Sequence, residues 1–179
     1  MAGRALITGL SGQDGSFLAE LLLTQGYQVT GLVRDEDQLG AAAHLANRVQ
    51  LAQGELLDSQ GLRELIEQTR PDELYHLAAP SFIPTSWRAP AHTIAAISAA
   101  TAVLLEAVRD HSPHTRVFIA SSATMFAGAL QSPQTEDTPC VPTTPYAVAK
   151  TAAHLLARCM REQAGLFVCS GVLYNHESE

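Results

Sequence analysis

The sequence predicts an α/β fold organised as a doubly wound parallel sheet, and three observations lead there. Strand-like and helix-like patterns alternate through all 179 residues, which implies right-handed crossovers and a parallel sheet with helices on both faces. A glycine-rich turn, Gly9-Leu-Ser-Gly12-Gln-Asp-Gly15, joins a short apolar strand to an amphipathic helix. Six strand candidates can be counted along the chain, as a doubly wound dinucleotide-binding sheet of order 3-2-1-4-5-6 requires.

The first strand, Ala5–Thr8, is a short apolar run closed by a turn, the pattern of a buried parallel strand. The helix after it, Gly15–Gln25, is expected to turn Phe17, Leu18, Leu21 and Leu22 inward. Between them Gly9 permits the tight turn, Gly12 lets the backbone approach a pyrophosphate, and Gly15 allows close helix–strand contact. Phosphates would then rest on the free N–H groups and positive dipole end of the helix. The glycine spacing differs from the commoner Gly-x-Gly-x-x-Gly fingerprint. The second strand is Gln28–Val33, followed by a short helix near Asp37–Ala46 and a third strand, Val49–Leu51. Helix Ser59–Thr69, strand Glu73–Leu77, helix Ala91–Asp110 and strand Arg116–Ala120 come next. Helix Pro145–Gln163 and strand Leu166–Val172 complete the alternation. The longest irregular stretch, Ala127–Thr144, is rich in Pro, Thr and Gln and leads into the last helix, so it reads as a wall of an active site.

That last helix carries Tyr146 and Lys150 one turn apart on a shared face. A free tyrosine titrates near ~10 and is a poor base at neutral pH. Moving it to about 7 takes roughly 4 kcal/mol of preferential phenolate stabilisation, at ~1.36 kcal/mol per pH unit. A neighbouring ammonium and a positively charged nicotinamide could supply it.

Composition narrows the partners. A net charge of −7 argues against nucleic acid held through phosphate contacts. No apolar run of the ~18 residues needed to span a membrane is evident, and none is expected to do so. Met1-Ala-Gly-Arg leads straight into a strand, which predicts no signal peptide. Cys140, Cys159 and Cys169 are unevenly spaced and read as reduced, mostly packed thiols of a cytoplasmic protein. The seven histidines show no metal-ligand spacing, so no metal site is expected. Trp87 is expected to pack at the sheet edge. Residues 1–174 read as one dinucleotide-binding domain, and 175–179 as the start of a further region. The chain is therefore expected to be the cofactor-binding lobe of a longer enzyme, without its C-terminal substrate lobe.

Five stretches carry a resemblance: Ala5-Leu-Ile-Thr-Gly-Leu-Ser-Gly-Gln-Asp-Gly-Ser, Gly54-Glu-Leu-Leu-Asp-Ser, Tyr75-His-Leu-Ala-Ala-Pro-Ser-Phe with Ser86-Trp87, Thr144-Pro-Tyr-Ala-Val-Ala-Lys, and Asn175-His-Glu-Ser. The chain resembles an extended short-chain dehydrogenase/reductase and, more narrowly, is similar to GDP-mannose 4,6-dehydratases of the NAD-dependent epimerase/dehydratase family. The resemblance implies a Rossmann domain and a nucleotide-sugar enzyme that transiently oxidises C4 of its hexose. Ser122 would hydrogen-bond the sugar 4-hydroxyl, Tyr146 would take its proton, and Lys150 would lower the tyrosine pKa and hold the nicotinamide ribose. The cofactor groove would be formed by Gly9, Gly12, Gln13, Asp14 and Gly15, then Arg34, Glu55 and Leu56, then Leu77, Ala78 and Ala79, with Tyr146 and Lys150. Ser81, Ser122 and Asn175 would meet the substrate, expected to be a GDP-hexose. Arg34 favours NADP, because arginine at this turn accommodates a 2′-phosphate. Asp35 and Glu36 would oppose that phosphate if they faced it, which keeps NAD possible. The resemblance also implies a homo-oligomer, assembled through helices Ala91–Asp110 and Pro145–Gln163.

One departure bears on the reaction. Thr124 stands where the dehydratases place the glutamate that removes the C5 proton and helps to expel the C6 hydroxyl. A threonine hydroxyl does not ionise in the useful range and cannot be that base. Ser122-Ala-Thr124 is what UDP-galactose 4-epimerases carry there, so a 4-epimerase is the first alternative and a non-catalytic NAD(P)-binding module the second.

Overall fold

The computed structural model describes residues 3–35 and 39–178. Six strands form one parallel sheet in the order β3-β2-β1-β4-β5-β6. They are β1 (Arg4–Thr8), β2 (Gln28–Val33), β3 (Gln50–Gln53), β4 (Glu73–His76), β5 (Arg116–Ser122) and β6 (Val168–Leu173). The order reverses between β1 and β4, so their C-terminal ends open a crevice there, the place where such sheets bind ligands.

Alternation along β1 builds both halves of the core, since successive side chains leave a strand on opposite faces. Leu6 points to the side covered by α2 (Ser59–Thr69), α5 (Ala100–His111) and α6 (Pro145–Ala164), where it joins Ile66, Leu74, Leu104 and Val108. Ala5 and Ile7 point to the other side, where α1 (Gln13–Thr24) and a 3-10 turn (Gly40–Leu45) contribute Ala19, Leu22, Ala42 and Leu45. Leu6, Ile7, Leu45, Ile66 and Leu104 are all fully buried, and truncating any of them to alanine should cost about 2–5 kcal/mol.

Several elements differ from the sequence expectation. The apolar face assigned to α1 is divided: Gly15, Ser16, Ala19 and Leu22 face the sheet, while Phe17 and Leu21 are half exposed. Small residues win that interface because the helix approaches the β1 loop too closely for bulky ones. The helix expected near Asp37–Ala46 is the 3-10 turn Gly40–Leu45, and Asp37 itself lies outside the described residues. The helix expected over 91–110 runs from Pro90 to His111, as α4 (Pro90–Ile94), a π-helical turn (Ala95–Ala99) and α5. By length and composition this 22-residue helix could cross a membrane, contrary to expectation. Its alanines dilute the apolar signal in the sequence, and here its buried face belongs to the core between the sheet and α6. A short helix, α3 (Ile83–Arg88), was not anticipated; Trp87 on it is exposed rather than packed at the sheet edge. Cys159 and Cys169 are also exposed, lying on the outward faces of α6 and of the edge strand β6, and all three cysteines are free.

Candidate active site

The site begins where β1 stops. Gly9 adopts φ +83°, and a Cβ there would lie 2.8 Å from the amide nitrogen of Ala78, so the turn after β1 requires glycine on both counts. A Cβ on Gly15 would come within 2.2 Å of the Gly9 carbonyl oxygen, the close approach predicted for that position. At Gly12 a Cβ would meet a single protein atom, the Gly9 carbonyl oxygen at 3.4 Å, and would otherwise project into open space. Gly12 caps α1 without a side-chain hydrogen bond, leaving first-turn N–H groups available to an anion. This open cradle fits the pyrophosphate of a dinucleotide.

From the glycine turn a groove of about 950 Å³ runs across the C-terminal edge of the sheet. The cofactor, catalytic and substrate residues expected from the sequence line it, most of them supplied by strand ends and two by α6. Gly9, Gly12, Gln13, Asp14 and Gly15 come from the β1–α1 turn. Arg34 follows β2, while Glu55 and Leu56 follow β3. Leu77, Ala78, Ala79 and Ser81 follow β4. Ser122 and Thr124 come from the end of β5, Tyr146 and Lys150 from α6, and Asn175 from the segment after β6. Gln53 donates to the carbonyl oxygen of Arg34 at 3.2 Å, which holds the β2 turn against β3. Glu36 lies outside the described residues.

The reactive end is built from β5 and α6. Thr144 caps α6 by accepting the Ala147 amide at 3.0 Å, and Pro145 occupies the first turn, so the helix begins just before Tyr146. Tyr146 is 8% exposed, its ring set among Ile97, Ala149, Ala153, Ala79 and Ile83. Burial pushes its phenol above the ordinary value, and a hydrogen bond from Ser122 acts in the opposite direction. The Lys150 ammonium lies 5.9 Å from the centre of the Tyr146 ring and donates to the Ala120 carbonyl oxygen at 2.8 Å. Burial draws Lys150 down from 10.5 to about 8.

Three contacts had no clear signal in the sequence. Buried Thr8 and His76 pair through Oγ1 and Nδ1 at 2.8 Å, and Thr8 Oγ1 also accepts the Ala78 amide at 3.2 Å, locking the β1 turn to the β4 turn. Burial, and then the nearby charge of Lys150, lowers His76 to about 3, so it is neutral. His176 bonds the Tyr174 carbonyl oxygen through Nδ1 at 2.8 Å and the Asp14 carboxylate through Nε2 at 2.9 Å. The Tyr174 carbonyl, and then the Asp14 carboxylate, raise the His176 pKa above its ordinary value. Tyr174 donates to Gln134 at 2.6 Å. The segment after β6 thus bridges the 127–144 loop and the phosphate turn. Thr8, His76 and His176 are separated in sequence from their partners by 68 to 162 positions, beyond the reach of local patterns. Among the described residues no group of three or more His, Cys, Asp or Glu is gathered to hold a metal.

A family model described as GDP-mannose 4,6 dehydratase matches residues 6–179. GDP-mannose 4,6 dehydratase 2 of Arabidopsis thaliana is 40% identical over 97% of this chain, which covers 50% of that relative. GDP-mannose 4,6-dehydratase of Vibrio cholerae is 38% identical over 99% of this chain, covering 51% of that relative. The chain thus spans about half the length of the curated relatives it matches. Among solved structures, UDP-glucose 4-epimerase from Brucella ovis in complex with NAD superposes with a TM-score of 0.82 at 25% identity, over 94% of this chain and 51% of that one. DesIV, a dTDP-glucose 4,6-dehydratase from Streptomyces venezuelae with NAD and TYD bound, gives 0.79 at 26% identity, over 93% and 54%.

Proposed function

The chain belongs to the GDP-mannose 4,6-dehydratase family, and from that premise we propose that its protein is a nucleotide-sugar 4,6-dehydratase acting on a GDP-hexose such as GDP-mannose. The observation that carries the reading is the convergence of Ser122, Tyr146 and Lys150 with the glycine turn on one groove. The glycine turn and the start of α1 would hold the pyrophosphate of a nicotinamide dinucleotide, and Ala78 and Ala79 the floor beneath it. When bound, that cofactor supplies a hydride acceptor for C4. Tyr146 accepts the proton of the sugar 4-hydroxyl, and Ser122 orients that hydroxyl. Lys150, fixed by the Ala120 carbonyl, keeps a cation beside the developing phenolate. Oxidation at C4 acidifies the C5 proton; loss of that proton with departure of the C6 hydroxyl removes one water, and the hydride taken from C4 would go back to C6 with a proton to C5, so the reaction is redox-neutral overall.

Arg34 lines the groove at the turn after β2, which supports NADP over NAD as the resident dinucleotide. We also propose that the protein is a homo-oligomer. Exposed Ile94 on α4 and exposed Val148, Ala152 and Leu155 on α6 present apolar surface suited to a second copy.

Thr124 favours a second reading, nucleotide-sugar 4-epimerisation, which needs no base at C5. Mass spectrometry of GDP-mannose incubated with the full-length gene product and NADP separates the two. Loss of one water supports the dehydratase. An isomer of unchanged mass supports the epimerase, and unaltered GDP-mannose with turnover of a UDP-hexose rejects the guanosine assignment.

A further inference from the structure

We propose that Thr8 and His76 are positioning residues for the nicotinamide dinucleotide, joined so that the Thr8 hydroxyl donates to His76 Nδ1 and holds the Ala78 amide against the glycine turn. The inference rests on the reading above, in which this groove binds that cofactor. Thr8 is the last residue of β1 and is fully buried. It takes both amides that follow β4. Its carbonyl oxygen accepts the Leu77 N–H at 3.2 Å, and its hydroxyl oxygen accepts the Ala78 N–H at 3.2 Å. The other contact of that hydroxyl, among the described residues, is His76 Nδ1 at 2.8 Å. Were Nδ1 to carry a proton and donate, the Thr8 proton would be left in the core without an acceptor, a costly arrangement. Burial holds the ring neutral, and a neutral imidazole keeps one nitrogen as an acceptor. The hydroxyl proton therefore goes to Nδ1, the ring's own proton sits on Nε2, and a lone pair of Thr8 Oγ1 is fixed toward Ala78.

This brace acts where the cofactor would lie. The residue after Thr8 is Gly9, and a Cβ there would stand 2.8 Å from the Ala78 nitrogen and 3.2 Å from the Leu77 carbonyl carbon. The peptide that Thr8 grips is thus the one against which the glycine turn is packed. Gly9 and Ala78 both line the groove. Ala79, next along, packs against the cluster that contains Tyr146. One hydroxyl consequently sets the spacing between the pyrophosphate cradle and the wall beside the tyrosine. Thr8 and His76 themselves are buried beneath that lining, so they act through Ala78 and the Gly9 turn without touching the dinucleotide.

The test begins with proton–nitrogen correlation spectra of the full-length gene product carrying isotope-labelled histidine, with His76→Asn identifying the His76 resonances. Nδ1 should be unprotonated and Nε2 protonated at neutral pH, and a proton on Nδ1 overturns the proposal. Thr8→Val then keeps the shape and removes the hydroxyl. Hydrogen exchange followed by mass spectrometry should find the amides of residues 77–79 exchanging faster in it. NADPH, followed by fluorescence, should bind it about tenfold more weakly, and Thr8→Ser should restore both values. Faster exchange with unchanged NADPH affinity overturns the proposal, as does a serine variant that behaves like valine. Should Thr8→Val fail to fold, His76→Leu against His76→Asn makes the same comparison, because the asparagine Oδ1 can accept where Nδ1 does; equal NADPH affinities in those two overturn the proposal. A wild type that shows the stated tautomer and binds no NADPH refutes the dinucleotide reading of the groove, and the positioning role with it.

Discussion

Lys150→Met isolates the energetic cost of a buried ammonium in the site. Burial lowers Lys150 from 10.5 to about 8, and at about 1.36 kcal/mol per pH unit this corresponds to roughly 3 kcal/mol. In the unfolded chain the lysine keeps its proton until about pH 10.4, whereas the folded chain releases it near pH 8. Between those limits the unfolded state binds more protons, so stability rises with pH. Below pH 8 the folded state bears the whole desolvation cost. Methionine has similar length and no charge, and its variant lacks this rise. Wild type should therefore gain roughly 3 kcal/mol on Lys150→Met between pH 8 and 10.5. At pH 7 the variant should be equally or more stable. Removing the charge is worth roughly 3 kcal/mol there, and depriving the Ala120 carbonyl of its donor costs about 1–3 kcal/mol. Urea unfolding of both proteins across this pH range measures the difference directly, and other titrating groups cancel in the comparison. Parallel stability curves would show that the ammonium is not desolvated and would refute the reasoning.

Three other outcomes follow from the same geometry. His76, held neutral by burial with its value lowered to about 3, should make the wild type lose stability as pH falls from about 6.5 toward 3; His76→Gln should flatten that acid limb, and identical limbs in acid denaturation would sink the assignment. Gly12→Val should leave apo stability within about 1 kcal/mol, since a Cβ there meets only the Gly9 carbonyl at 3.4 Å; NADPH binding, followed by fluorescence, should be abolished, and unchanged affinity would reject the pyrophosphate cradle. The Tyr174 carbonyl, and then Asp14, raises His176 above its ordinary value, so the contact with Asp14 should weaken as pH rises through that value; NMR titration should find His176 lower in Asp14→Asn, and an unmoved resonance would dissolve the bridge.

Much of the site was legible because its chemistry is local. The glycines of 9–15 declare themselves by spacing between strand and helix, and their neighbours in the fold, Ala78 and the Gly9 carbonyl, explain each one. Tyr146 and Lys150 are joined by helical periodicity alone. What sequence could not assign was the group that holds the ammonium. An i, i+4 pair puts the ammonium near the phenol, at 5.9 Å from the ring centre, but only the fold shows that the Ala120 carbonyl of the neighbouring strand holds it there. The division of α1 into a small-residue inner face and an exposed Phe17 and Leu21 was equally hidden. Hydrophobicity marks residues that can be buried, whereas the distance between helix and strand selects those that are.

By itself the sequence determined the sheet, its 3-2-1-4-5-6 order, the glycine turn and the family. Alternating periodicities, turn residues and fixed motif spacings each act within a few positions of the chain. Only the tertiary structure decided the Ala120 carbonyl that holds Lys150, the neutral His76 beneath the crevice and the contact of His176 with Asp14 over the phosphate turn. Those depend on burial and on partners up to 162 positions away, because a proton's position is set by the groups that surround it in space.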